Sequence, residues 1–575
     1  MPTRACAAGA GGYHRLAVAE GGTRAGRGPG PWRKGAGRVA GRRVRGAAAA
    51  LTALAVLAGP AATTAAADAS RDLAGARPAG GVIPSHFVGY SIEWSLVERY
   101  MNPAARPAFV NLLRNLGSGI LRIGGGSQDH MPYDPAAENT IQIITPDDLQ
   151  AIRATLDEAN AGADDGGVPS WGTSLGTALA PPDADRPWIS PEHARAFTQL
   201  GVVPAFAGAE REVVGIGLGN EPDISYAYDA ARYLADLETY SKAGVTRPFP
   251  AVAPSTSEPI APWSAIEART VPTRLFWAWP EILDAMIAEP GFAPVATDHF
   301  YPLVRECTTD PYRCPSIERL LSDERLQNLA YQVFTHAGEA ARHGLGYRLQ
   351  EMNSSAHRGA NGVSNVAASA VWGVAAMFEA ACPQPPNAPG ANADCALGSA
   401  GLSFHNAEVN AFFQPEEGNA YYNAIDYDPT PAAGPPAAAP LYYAQLLFAR
   451  FAQGTRGLRP VAVAADPDVG AQLKAWQVDA GKSTRRLFVV NLASSPLTVS
   501  LPASGRRYQL DRMAPYDASG AGRTLDAPEV RIDGRAVSAD GTWPGFAPTD
   551  GRIAGDTLQL ALGVGEVAVV TLDRR

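Results

Sequence analysis

Beyond Ala58 the sequence contains no apolar run approaching the ~20 residues needed to cross a membrane. It has no internal repeat, which excludes solenoids and repeat arrays. Basic residues are not in excess: 48 Lys and Arg against 57 Asp and Glu give a net charge of −9. Nucleic acid is therefore not an expected partner. The nine histidines form no pair at metal-ligand spacing, and no metal is expected. No Gly-rich dinucleotide loop follows the first strand candidate, because Gly124-Gly125-Gly126 comes after the second and lacks that spacing. No cofactor is expected.

Cysteine is scarce: Cys6, Cys307, Cys314, Cys382 and Cys395. No CxxC spacing or nearby His pair supports zinc. Cys307 and Cys314 flank a tight loop (TTDPYR), and Cys382 and Cys395 bracket a Pro/Asn/Gly-rich one (PQPPNAPGANAD). Two local disulfides, Cys307–Cys314 and Cys382–Cys395, fit an oxidising compartment.

The first residues are of a different material. Residues 1–46 are rich in Gly, Ala and Arg and end in Arg42, Arg43 and Arg45. An apolar run from Ala47 to Ala58 and a small-residue stretch (PAATTAAADAS) follow. Basic segment, short apolar core and Ala-x-Ala exit describe a secretory signal peptide over residues 1–68, with translation starting near Val39 or Val44. A disordered Ala-rich tail is the competing reading. The expected location is secreted or periplasmic, with no membrane contact once the signal is removed.

The whole sequence is 46% hydrophobic and 18% charged, the balance of a folded protein. From 82 to 452, short apolar runs alternate with amphipathic stretches. Strands are expected at Phe87–Trp94, Gly119–Gly125, Pro169–Gly176, Val213–Gly219, Ala251–Ser255, Val295–Tyr301, Tyr347–Glu351 and Gly401–His405. Between them, Phe109, Val110, Leu112, Leu113 and Leu116 recur at helical spacing. Thr145-Pro146 and Ser190-Pro191 read as helix caps with first-turn prolines. One long helix is expected from about Ser316 to Gly344. The eight alternations predict a (β/α)8 TIM barrel. A doubly wound sheet would also alternate, but it lacks its phosphate loop here. From 455 to 575, strand-like runs without a helix predict a C-terminal all-β sandwich, to which residues 70–81 add a strand.

Barrel chemistry belongs at the C-terminal ends of the strands. Four such ends are polar: Glu93, the GGSQD stretch through Asp129, Asn220-Glu221, and Glu351. Carboxylates that end apolar strands are costly unless paired or used. Two facing carboxylates are what a glycosidase needs.

The segments GILRIGGGSQD, GIGLGNEPD, TDHFYP, YRLQEMNSSAHRGANGVSN and GLSFHN occur in that order. Together they resemble the retaining barrel glycosidases and, more narrowly, glycoside hydrolase family 79, which holds β-glucuronidases and heparanases. The resemblance runs from about Phe87 to the β domain. It implies Glu221 as acid/base, Glu351 as nucleophile, and Asn220 as donor to the sugar 2-hydroxyl. It also places Arg122, His299 and Tyr301 around the nucleophile. Each of these three has a structural alternative: an ion pair for Arg122, satisfied core positions for His299 and Tyr301. Glu93 and Asp129 are candidates for sugar hydroxyls or for structural pairing. The loop after Glu351 offers backbone N–H groups to an anion, with His357 or Arg358 adding charge. In the family this loop usually carries a Tyr followed by glycines. Here it reads Ala356-His357-Arg358-Gly359, and Gly126 stands where an Asn is common.

The expected substrate is therefore a carbohydrate, and the expected activity an exo-β-glucuronidase working by double displacement. The alternatives are a related retaining enzyme on neutral sugars, an endo-acting heparanase-like enzyme, and a non-catalytic carbohydrate-binding barrel.

Overall fold

The computed structural model describes residues 80–573, apart from short stretches at 139, 163–169, 182–185, 258–264, 266–274, 290, 309, 409–418, 428–433, 464–471, 504–506, 519–523 and 554. The expected leader, Cys6 and residues 70–79 lie outside the described residues. Gly81 is described, and its carbonyl accepts the Leu458 N–H at 2.9 Å.

Eight parallel strands close into a barrel in sequential order. They are β1 (Val88–Glu93), β2 (Gly119–Gly124), β3 (Trp171–Thr177), β4 (Val213–Leu218), β5 (Ala251–Thr256), β6 (Phe292–Phe300), β7 (Gly346–Met352) and β8 (Leu402–Asn406). A helix follows each: α1 (Arg106–Leu116), α2 (Pro146–Asn160), α3 (Pro191–Ala196, continued by further helical turns to Ala205), α4 (Ala230–Lys242), α5 (Trp279–Ala288), α6 (Asp323–Arg342), α7 (Ala367–Ala381) and α8 (Pro440–Phe451). Parallel strands need such crossovers, and the apolar stripe of each helix covers the sheet. In α1 that stripe is Phe109, Val110, Leu112, Leu113 and Leu116, all buried.

The caps form as their residues dictate. The Asp148 carboxylate accepts the Thr145 N–H at 2.8 Å, and the Ser190 hydroxyl accepts the His193 N–H at 3.2 Å. The long helix expected from Ser316 to Gly344 is instead two pieces, a single turn at Ile317–Leu320 and then α6. Ser322 caps α6 by accepting the Arg325 N–H, so a second Ser-led N-terminus interrupts the apolar periodicity.

The C-terminal region is all strand and loop among its described residues. One sheet runs β9 (Arg456–Pro460), β10 (Leu473–Asp479), β11 (Thr484–Asn491), β17 (Val567–Asp573), β13 (Arg507–Tyr516) and β14 (Glu529–Ile532), with β15 (Thr549–Arg552) also on β13. A second pairs β12 (Leu497–Pro502) with β16 (Thr557–Leu562). The two sheets enclose a core that includes Leu487, Val499, Leu560 and Val570. The other face of the larger sheet joins the barrel's own core: Trp476 stacks on Phe378 of α7 at 4.7 Å, and Phe488 meets the same ring edge-on. Both disulfides, Cys307–Cys314 and Cys382–Cys395, are present.

Candidate active site

The C-terminal ends of the strands surround a cavity of about 660 Å³. Local backbone geometry aims the two glutamates into it. Glu221 follows β4 and caps the short helix Pro222–Ser225 with φ 48° and ψ 51°, a left-handed conformation that non-glycine residues seldom adopt. Its N–H donates to the Ser255 carbonyl at 3.0 Å, tying the end of β4 to that of β5.

Glu351 reaches the cavity by a different device. Along β7, Arg348 and Gln350 point into the barrel lumen, while Tyr347 packs outward against Trp279 and His336. Strict alternation would send Glu351 outward as well. The pairings of β7 with both neighbours slip between Leu349 and Met352, so β7 carries an extra residue there. That bulge turns Glu351 back into the site.

Once there, Glu351 is buried and fully engaged. Tyr301 donates its hydroxyl to Oε1 at 2.7 Å, and Arg122 donates NH1 to Oε2. His405 and His299 approach Oε2 to 3.7 and 4.0 Å. Burial alone would raise this carboxyl's pKa. The charges of His405, His299 and Arg122, with the Tyr301 hydrogen bond, outweigh it and hold the group well below the usual carboxylate range.

Glu221 bonds to His299 Nδ1 through Oε1 at 2.8 Å and keeps a partly exposed side chain. One oxygen of Glu221, one ring nitrogen of His299 and one oxygen of Glu351 all lie within 4.8 Å of one another. Three such atoms have the spacing of a cation site. However, both oxygens of Glu351 are already taken, and the buried Arg122 charge opposes a cation beside it.

A buried network positions the rest. Arg122 donates NH2 to Asn220 Oδ1 at 2.7 Å and NH1 to Ser91 Oγ at 2.9 Å. Asp129 accepts the N–H groups of Leu179 and Asn220 at 3.3 and 3.4 Å, and burial pushes its pKa up to about 7. Glu93 accepts the Ser127 N–H at 2.8 Å and meets His405 Nε2 at 3.2 Å. Burial would raise the Glu93 pKa, but His405 and Ser127 lower it on balance. The His405 ring is pulled down by burial and pushed further the other way by Glu351 and Glu93, so its pKa ends up raised.

Every residue singled out from the sequence for catalysis or sugar binding is at this end of the barrel. Glu93, Asp129, Asn220, Glu221, Tyr301, Glu351, His357 and Arg358 line the cavity. Arg122 and His299 stand behind the two glutamates, Arg122 in an ion pair with Glu351 and His299 bonded to Glu221. Sequence reasoning missed His405, although it lies near the end of β8 and the strand-end criterion applies to it. It also missed Arg186, Arg313 and Tyr226, which reach the cavity from loops with no local signal.

No protein-family model matches the chain, and no curated protein matches it. Solved structures do. A 4-O-α-L-rhamnosyl-β-D-glucuronidase from Fusarium oxysporum aligns over 87% of this chain and 99% of its own, with TM-score 0.59 and 16% identity. An arabinofuranosidase of glycoside hydrolase family 51 from Xanthomonas axonopodis pv. citri covers 86% and 97%, with TM-score 0.56 and 11% identity. An α-L-arabinofuranosidase from Thermotoga maritima covers 86% and 97%, with TM-score 0.51 and 13% identity. At these identities the likeness is one of fold alone: a (β/α)8 barrel followed by a β domain.

Proposed function

We propose that this protein is a secreted retaining exo-β-glycosidase whose substrate is a β-glucuronide. The observation that carries the reading is the closeness of Glu221 and Glu351, whose nearest oxygens lie within 4.8 Å. Retaining enzymes hold their carboxyl groups about 5–5.5 Å apart, whereas inverting ones need about 6.5–9.5 Å to admit a water.

Glu351, kept ionised by its neighbours, attacks the anomeric carbon. Glu221 gives its proton to the departing glycosidic oxygen, and the aglycone leaves. Glu221 then takes a proton from a water that attacks the same carbon and releases Glu351. Asn220 has its Oδ1 committed to Arg122, so its NH2 group is the one that serves the sugar 2-hydroxyl.

Support for a uronate comes from the loop that follows β7. His357, Arg358 and Gly359 take φ of 57°, 68° and 81°, a tight left-handed turn beside the cavity. Successive N–H groups in such a turn suit an anion, and Arg186 and Arg313 line the same space. The Fusarium oxysporum protein of like fold is named a glucuronidase.

The test is a panel of aryl β-glycosides (glucuronide, galacturonide, glucoside, xyloside, galactoside) with an aryl α-L-arabinofuranoside added. Turnover of the glucuronide in preference to the others is expected. Turnover of neutral glycosides without the glucuronide would sink the uronate assignment and leave a neutral-sugar enzyme. Binding without any turnover would make the barrel a carbohydrate-binding module.

A further inference from the structure

A buried carboxylate lies on the helix side of β6, behind the wall of the cavity. Asp298 is 2% exposed and faces α6. Its Oδ1 accepts the Thr256 hydroxyl at 3.0 Å and the His299 N–H at 2.9 Å. Gln332 donates Nε2 to Oδ2 at 2.6 Å, and His336 Nδ1 meets the same oxygen at 2.7 Å. A carboxylate accepts about four such bonds, so His336 completes the set by donating its Nδ1–H. Gln332 and His336 share one face of α6, and the His336 ring is fixed by stacking on Trp279 at 3.8 Å.

The sheet explains why side chains are needed here. β5 pairs with β6 only as far as Asp298, and the pairing of β6 with β7 slips at the next residue. Side chains take over the main chain of that residue. The His299 N–H goes to Asp298, and the His299 carbonyl accepts Gln332 Nε2 at 2.9 Å. Buried main-chain groups are costly to leave unpaired, so these two bonds set where His299 stands.

Glu221 has two tethers, and both end on this network. Its Oε1 meets His299 Nδ1 at 2.8 Å, and its N–H donates to the Ser255 carbonyl at 3.0 Å. Ser255 has φ 54°, a left-handed conformation uncommon outside glycine. The residue after it, Thr256, is the one that Asp298 holds.

We propose that Asp298 is a positioning residue for Glu221. Gripped by Gln332 and His336 of α6, it fixes His299 and Thr256, and through them the side chain and the main chain of Glu221. The inference rests on Glu221 as general acid, and it stands whatever sugar the cavity accepts.

The experiment uses the full chain and two aryl glycosides of whichever sugar it hydrolyses, a dinitrophenyl one with a good leaving group and a methoxyphenyl one with a poor one. Asp298→Asn keeps the side chain's size but turns one acceptor oxygen into a donor, where both oxygens face donors. A displaced acid should cost about 10²-fold in kcat/KM on the methoxyphenyl glycoside. The dinitrophenyl glycoside needs little protonation and should lose only a few-fold. A merely structural role would lower both rates together. If Asp298→Asn does not fold, Gln332→Met, which removes the bonds to Asp298 and to the His299 carbonyl, should show the same selective loss. Equal losses on the two substrates, or none, overturn the proposal. Glu221→Ala measured alongside separates the causes. If that variant is itself unselective, the acid assignment falls and the inference with it. If it is selective and the other variants are not, the inference alone falls.

Discussion

Glu351 sits where a carboxylate is costly, and four neighbours reverse that cost. Tyr301 is the neighbour that can be trimmed with least disturbance. Tyr301→Phe deletes one hydrogen bond to the charged form, so the Glu351 pKa rises and activity is lost at a higher pH on the acid side. A hydrogen bond to a charged group is worth ~1.5–3 kcal/mol, so the acid limb of kcat/KM should move up by about 1–2 pH units. A limb that stays in place would show that Tyr301 does not act through Glu351. The two glutamates should separate by leaving group. Glu351→Gly should be inactive on every substrate. Glu221→Ala should lose about 10²–10⁴-fold on poor leaving groups and much less on activated aryl glycosides. Equal collapse on all substrates would remove Glu221 from the acid role.

At the scale of elements, the turn after β2 is tightly constrained. Gly125 has φ 69° and ψ −163°, a region that glycine alone occupies readily. A Cβ there would also stand 2.5 Å from Glu93 Oε1. The turn carries Ser127, whose N–H holds Glu93, and Glu93 in turn meets His405 beside Glu351. Gly125→Ala should therefore cost about 1–3 kcal/mol of stability, read by urea unfolding. It should also depress kcat/KM by disturbing the Glu93–His405 pair. Normal kcat/KM at reduced stability would confine the turn to a structural role.

Across the whole molecule, the C-terminal sheet and the barrel form one structural unit. Lys474 of β10 approaches Asp323 at the start of α6 to 2.5 Å and Glu379 of α7 to 3.7 Å. Burial pushes the Glu379 pKa up to about 7 even with this lysine beside it. Lys474→Met strands Glu379 without its counter-charge. Removing one partner of a buried pair costs about 3–5 kcal/mol, and with Lys474 partly exposed the lower figure is expected. Glu379→Gln added to Lys474→Met should restore much of the loss, as thermal unfolding of single and double variants would reveal. Additive losses in the double variant would mean that the pair is not coupled.

What the sequence determined by itself is local. Alternating apolar runs, cap residues such as Thr145 and Ser190, and polar strand ends made the barrel, its order and its polar rim legible in advance. Each of these signals lives within one turn or one strand. The break before α6 escaped notice because the apolar period continues past Ser322. The tertiary structure decided what depends on register between strands. An extra residue in β7 returns Glu351 to the cavity, and His405 comes within 3.7 Å of it from the adjacent strand β8. Periodicity cannot encode such outcomes, because the energy of a buried charge depends on side chains that only barrel closure brings together.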